Sequence, residues 1–501
     1  MASALANQKM NRKSPPVELE ENHSVVELDR PLMGGFLISL IIHSLMLFIL
    51  ALIVIHNPIA LLDISTKATF SSNEDQNLEP VVDVTLDVPV IDQKMPDLGI
   101  TDAPQASFEP LDPLQNLASG PGQTSTMELL TIPDIDLTTH LGGRKKASRQ
   151  MLLEIFGGNA QSEKAVERGL VWLASHQRED GSWSFDHRPK DKPEQAREWG
   201  SLSNCPTGAT GMALMAFLGA GHVHTESGPY QQVVFRGLEY LKSAGVEVKE
   251  GTDFRGREGA RQDVIPQGNH AMYAHSLAAI ALSEAYGMTR DRLLREPAQG
   301  AMEFLIRIRN RDDGGWRYRP EEPGDLSVTG WVVMALESGH TAGLRFSPVG
   351  LESATQFLDA CQSAGGSRYG YLAGQGGRLS TTAIGLLCRM YLGWERSHPA
   401  LNEGIDYLSS EGPSKENIYY NYYATQVMHH AGGDRWNRWN SQLRDWLVGS
   451  QVRTGFEAGS WDVTDPHGNR GGRHYQTCLA IMTLEVYYRH LPLYQMQRPK
   501  E

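Results

Sequence analysis

Apolar residues recur at helical spacing from about Gly142 to Leu491, and two kinds of helix alternate there. The first kind is amphipathic: "AVERGLVWLASHQ", "VVFRGLEYLKSAG", "AQGAMEFLIRIRN", "ESATQFLDACQS", "NEGIDYLSS" and "QLRDWLVGSQ". Each carries an aromatic followed by leucine: Trp172-Leu173, Tyr240-Leu241, Phe304-Leu305, Phe357-Leu358, Tyr407-Leu408 and Trp446-Leu447. The second kind is apolar nearly all round and holds a Thr or Ser near its start: Thr210, Ser276, Thr329, Thr382, Thr425 and Thr477, at intervals of 66, 53, 53, 43 and 52 residues. A helix that is apolar on every side belongs inside, and one with a charged face belongs outside. Six such pairs predict an all-α (α/α)6 toroid over residues 145–495, an inner ring of six within an outer ring. An open solenoid is the alternative, but no polar capping repeat ends the series. Ser162 before Glu163 predicts the cap of the first outer helix.

The N-terminal third has a different pattern. Residues 1–30 are polar and mixed in charge, which predicts a disordered tail. From Pro31 to Leu62 there is no charged residue, and "LMGGFLISLIIHSLMLFILALIVI" fills 32–55. As a helix, this run is long enough to cross the hydrocarbon core of a bilayer, so a transmembrane helix is predicted at 31–56. Lys9, Arg12, Lys13 and Arg30 precede it and only Lys67 follows closely, which places the N-terminus in the cytoplasm and the toroid in the periplasm of a single-pass inner-membrane protein. Residues 57–144 read as an acidic, proline-containing disordered linker. Its first 84 residues hold fourteen Asp or Glu against two Lys.

The whole chain carries 46 basic and 59 acidic residues, for a net charge of −13, which argues against a nucleic-acid partner. Its four cysteines have no paired spacing, so neither a disulfide framework nor a zinc knuckle is implied. Gly-rich turns such as "EDGSWSF" and "RDDGGWRYRPEEPGD" join outer to inner helices. The stretch "RGLVWLASHQREDGSW" predicts a seam: Gln177 accepts from the next inner helix and donates to the end of its own, while Trp183 lies flat on the junction.

That stretch resembles the QW repeat of squalene–hopene and oxidosqualene cyclases, a basic-Gly-x-x-aromatic-Leu-x-x-x-Gln phrase followed by Gly-x-Trp. Arg168-Gly169, Trp172-Leu173, Gln177, Gly181 and Trp183 match throughout; Gln451 and Trp461 repeat the phrase in the last pair. The third pair has Trp316 but Arg309 in place of Gln, and the fourth has Gln362 with Tyr371 ending its turn. The resemblance, to the prenyltransferase/squalene-oxidase repeat superfamily, covers residues 160–495 and implies the toroid. It implies less about chemistry. The acid motif of such cyclases falls on "DLSVTG", where Asp325 and Thr329 match but Ser327 stands in the proton donor's place. The zinc-ligand histidine of protein prenyltransferases falls on Gln476. No metal and no cofactor are therefore expected.

Candidate acids are Asp325, Asp312 and Asp313, the last two being more simply turn residues. Ligand-binding candidates gathered at the inner-helix mouths are His270, Tyr273, His275, Asp325, Arg378, Tyr419, Tyr420, Asn421, Tyr423, Arg473, His474 and Tyr475. In the membrane span, Ser39 and His43 share a helical face, a spacing that resembles energy transducers of the TonB type and implies a membrane motor partner. These readings point to a membrane-anchored toroid that is a non-catalytic or divergent binding module for an isoprenoid, a glycan or an envelope protein. A divergent cyclase or prenyltransferase, or a carbohydrate-active toroid, is the alternative.

Overall fold

The computed structural model describes residues 141–256, 270–465 and 468–494. A leading helix, α1 (Lys146–Ile155), precedes six pairs. They are α2 (Ala160–Ser175) with α3 (Pro206–Gly219), α4 (Gln231–Ala244) with α5 (Ala271–Thr289), and α6 (Arg292–Arg307) with α7 (Leu326–Thr341). Then come α8 (Val349–Cys361) with α9 (Leu379–Tyr391), α10 (Pro399–Glu411) with α11 (Ile418–Ala431), and α12 (Gly433–Ser450) with α13 (Gly468–Leu484). A single turn, α14 (Val486–Arg489), follows. The second helix of each pair packs on the second of the next: α3 on α5, then α7, α9, α11 and α13, and α13 returns to α3. Outer α12 likewise returns to α2, so the series closes into a ring and is no open solenoid. The inner helices have almost no polar face: every residue of α3 from Thr207 to Gly219 is buried.

The chain is not purely helical. Two antiparallel scraps, β1 (Val246–Val248) with β2 (Gly251–Asp253) and β3 (Gln362–Ser363) with β4 (Arg368–Tyr369), lie in the turns after α4 and α8. The cap of α2 also differs from expectation. Asn159 is the N-cap; its Oδ1 accepts from the amides of Gln161 and Ser162, and the Ser162 hydroxyl accepts the Asn159 amide in return. Ser162 is thus the third residue of a reciprocal box rather than the cap. No helix among the described residues is long and apolar enough to cross a membrane. The 31–56 span, with Ser39 and His43, lies outside them.

The seam motif repeats with one geometry. The Trp183 indole donates to Leu173 O at 2.7 Å, at the end of its own outer helix, and its amide donates to the Thr210 hydroxyl at 3.0 Å. Trp316 does the same to Leu305 O and Thr329, and Trp461 to Leu447 O and Thr477. All three rings are buried. Gln177 departs from the expected role: its amide donates to Gly181 O and to Val233 O, both at 2.9 Å, and so reaches the next outer helix instead of the inner one. Gln451 donates to Gly459 O and Ala165 O at 2.8 Å and accepts from Arg168 Nε at 2.8 Å. Because Ala165 and Arg168 belong to α2, this pair of contacts closes the ring. Arg309 does the work of the missing glutamine by donating to Ser353 Oγ of α8. The glycine of the motif is fixed by two facts: Gly181 has φ +85°, and a Cβ there would sit 2.4 Å from Arg236 O. In the fourth pair the seam aromatic is Tyr369, whose amide meets the Thr382 hydroxyl at 3.2 Å, and Tyr371 points elsewhere. Gln362 is exposed in β3, where its backbone pairs with Tyr369 and its Oε1 accepts from Arg389 at 3.4 Å.

The end of the ring formed by the inner-helix C-termini is filled. Leu141–Arg144, placed in the linker by the sequence, and α14 pack there together. Arg144 donates to both oxygens of Glu284 at 2.9 Å, and Arg489 donates to both at 3.1 Å. Glu485 Oε2 accepts from Arg489 at 3.4 Å. Four ionisable groups are buried here, and the charges of Arg144, Arg489 and Glu284 are offset by one another.

Two outcomes follow from these contacts. Trp183→Ala removes a buried indole and its hydrogen bond, and is expected to cost about 3–5 kcal/mol in denaturant unfolding; a loss below about 1 kcal/mol would contradict the seam role. Burial pushes the Glu485 carboxyl up to about 8 from an ordinary 4.5. Between those values the folded chain holds a proton that the unfolded chain has lost, so this group lowers stability as pH rises through the window. Glu485→Gln should therefore gain on the wild type as pH is raised from about 5 to about 8.5 in melting curves; an unchanged difference would refute it.

Candidate functional site

The opposite end of the ring is hollow. A chamber of ≈650 Å³ is lined by the first two turns of all six inner helices. Gly208 and Met212 come from α3, with Cys205 at its N-cap; Tyr273, Ala274 and Leu277 come from α5, and Ser327 and Trp331 from α7. Leu379, Ser380, Thr381 and Ile384 come from α9, Tyr419 from α11, and Gly471 and Tyr475 from α13. Phe185, Tyr318 and Tyr371 reach in from the turns. The exposed Arg378 and Arg470 stand with His270 and Asn417 among the lining residues at these N-termini. Among the described residues that line the chamber there is no carboxylate. Its floor is Trp331, stacked on Tyr422 with ring centroids 5.6 Å apart and an 18° angle between planes.

The polar part of the wall centres on α7. Asp325 is its N-cap and is fully buried. Asp325 Oδ1 accepts from the Ser327 hydroxyl at 2.6 Å and from the Val328 amide at 2.9 Å. Oδ2 has no hydrogen-bond partner among the described residues and lies 3.7 Å from Arg317 Nε. Burial raises the Asp325 pKa, against the hydrogen bonds from Ser327 and Val328 and the charge of Arg317. Ser327 Oγ is also 2.6 Å from the Tyr273 hydroxyl. The Tyr318 and Tyr371 hydroxyls meet at 2.5 Å. Burial holds the Tyr273, Tyr371 and Tyr419 hydroxyls above their ordinary pKa and pushes the Cys205 thiol up to about 12, so all four are protonated.

No protein-family model matches the chain, and no curated protein does. The fold has likenesses among solved structures. An inactive variant of the GH76A α-1,6-mannanase of Salegentibacter, in complex with α-1,6-mannotriose, is similar at 10% identity with a TM-score of 0.45; the match covers 65% of this chain and 99% of the other. A variant of a type II terpene cyclase from Scytonema, in complex with merosterolic acid A, is similar at 11% identity and a TM-score of 0.43, covering 66% and 96%. Candida albicans protein geranylgeranyltransferase-I, complexed with GGPP, is similar at 10% identity and a TM-score of 0.37, covering 56% and 84%. These are likenesses of the ring only, and its chamber has to be read from its own residues.

Of the candidates read from the sequence, His270, Tyr273, Arg378, Tyr419 and Tyr475 line the chamber. The others are built into the scaffold. His275 faces α6: its Nδ1 accepts the Phe254 amide at 3.0 Å, which is the job of the seam threonine in other pairs. His474 meets Ala209 O of α3 at 2.9 Å, and burial pushes its pKa down to about 3. Arg473 is buried among Glu198, Asp462 and Glu457. The Tyr420 hydroxyl donates to Gly412 O, and Asn421 braces Ser414. Tyr423 is buried against Trp331, Tyr419 and Tyr422. Asp313 accepts the amides of Gly315 and Gly324, and Asp312 is exposed in the same turn; neither reaches the chamber. Gln476 donates to Thr464.

Four aromatic lining residues are not among those candidates: Phe185, Tyr318, Tyr371 and Trp331. The signal for three of them is visible in "SWSF", "GWRY" and "RYGY". In each phrase the aromatic two positions after the seam aromatic enters the chamber.

Arg473→Met would leave Glu457 buried without its cation and is expected to cost about 3–5 kcal/mol. Arg378→Met, at the exposed rim, should change stability by less than about 0.5 kcal/mol. Equal losses in urea titrations would undo this division between scaffold and site.

Proposed function

We propose that the chamber holds an isoprenoid or a comparable apolar chain, and that the protein is a divergent or non-catalytic binding module of the toroid type. The supporting observation is the wall itself. Phe185, Trp331 and five tyrosines surround a space of ≈650 Å³, within the ordinary range for ligand pockets. Glycoside hydrolysis needs two carboxylates across the scissile bond. None lines the space among the described residues, and Asp325 stands behind Ser327. This makes a glycan the weaker reading.

The rest of the reading comes from the sequence. An uncharged run at 31–56 anchors the chain in the inner membrane, with the ring on the periplasmic side. An apolar ligand drawn from that bilayer suits such a tether. Ser39 and His43 would offer a contact to a membrane motor, and the ring's outer surface a contact to an envelope protein.

Binding to the full-length chain in detergent tests the proposal. A fluorescent polyprenol should bind, and Ser380→Trp, which places an indole in the chamber, should weaken it at least about tenfold while shifting the melting temperature by no more than ~2–4 °C. Binding of an oligosaccharide with no binding of the polyprenol would overturn it.

A further inference from the structure

Ser327 is a serine on the chamber wall held by a buried carboxylate. Its hydroxyl donates to Asp325 Oδ1 at 2.6 Å, so the Tyr273 hydroxyl, 2.6 Å away, donates to Ser327 Oγ. Asp325 is fully buried, and the Val328 amide fixes its orientation. Its second oxygen has no hydrogen-bond partner among the described residues. The Tyr419 hydroxyl also belongs to the chamber wall, beside Tyr423 and Trp331. A nucleophile, a base within hydrogen-bond reach, a group orienting the base, and hydroxyl donors near the nucleophile are the parts that acyl transfer requires.

We propose that Ser327 is a nucleophile for esters with a long apolar chain, with Asp325 as its base and the Tyr273 and Tyr419 hydroxyls as donors to the developing oxyanion. This rests on the apolar-chain reading of the chamber and goes beyond it, since that reading needs no chemistry. Ser327 Oγ bonds to the ester carbonyl carbon as its proton passes to Asp325. The carbon–oxygen bond to the alcohol then breaks, and Asp325 returns the proton to the departing alkoxide. Water, with Asp325 again taking the proton, attacks the acyl-serine; the serine hydroxyl is restored and the carboxylic acid leaves. No oxidant or metal enters the balance. Neutral tyrosine hydroxyls, kept protonated by burial, are suited to donate to an oxyanion.

A long-chain alkyl fluorophosphonate is the probe: a Ser–O–P bond forms, the P–F bond breaks, and fluoride and a proton leave. Incubated with the full-length chain, it should add one phosphonyl mass on the peptide that contains Ser327. Ser327→Ala should abolish the adduct. Asp325→Asn keeps the helix cap and should slow labelling about hundredfold. Tyr419→Phe should slow it by about tenfold or more, with the melting temperature unchanged. An unlabelled Ser327 in a chain that still binds the fluorescent polyprenol overturns the nucleophile and leaves the chamber reading intact. Labelling at the same rate in Asp325→Asn also overturns it. A chain that binds no polyprenol and takes no label removes both readings.

Discussion

One hydrogen-bond pair recurs at three of the seams that join the ring. An indole N–H reaches back to the last carbonyls of its own outer helix, at 2.7–2.8 Å for Trp183, Trp316 and Trp461. A glutamine or arginine reaches across to the neighbouring outer helix or its turn. A helix end leaves its final carbonyls without intrahelical partners, and a buried end must satisfy them. The seam does so with a side chain that also buries a large apolar surface. Gln451 carries special weight because its partners, Ala165 and Arg168, stand at the other extreme of the toroid sequence. It fastens a closure that the packing of α13 on α3 and of α12 on α2 also makes.

Closure has a consequence for the axis. Six inner helices pointing one way put six N-termini at one end and six C-termini at the other. The end formed by the inner-helix C-termini is filled by Leu141–Arg144 and α14 through Arg144, Glu284, Glu485 and Arg489. The N-terminal end receives the Gly-rich turns, and among the described residues the chamber opens there. The hollow thus exists because the plug is one-sided. Three aromatics of its wall, Phe185, Tyr318 and Tyr371, come from turns that alternate: one aromatic stays in the seam, and the residue two further on enters the chamber.

That alternation explains much of what could be read in advance and what could not. Tyr371 looked like the seam aromatic of the fourth pair because it ends the Gly-rich turn. Tyr369 holds that place because only its amide meets Thr382. His275 looked like a ligand because it stands at a helix mouth. It is a scaffold residue because the second pair lacks the seam threonine at that position and uses an imidazole to take the Phe254 amide. Arg473 and His474 were read as a rim pair for the same reason, yet both turn away from the axis. Position along a helix was legible. Direction around it was not.

The residues by themselves determined the six helix pairs, their alternation between a buried and a half-buried kind, and the three tryptophan seams. These follow from periodicity, from caps, and from the need to hide apolar faces, all of which are local. The tertiary structure decided that the ring closes, that one end is plugged and that Asp325 sits behind Ser327 and not in the open. Those depend on contacts between residues up to 345 positions apart, such as Arg144 with the Arg489 carbonyl. No local pattern encodes which side of a fully apolar helix faces the axis, because burial satisfies every side equally. Only packing against the neighbours selects the few residues that line the space.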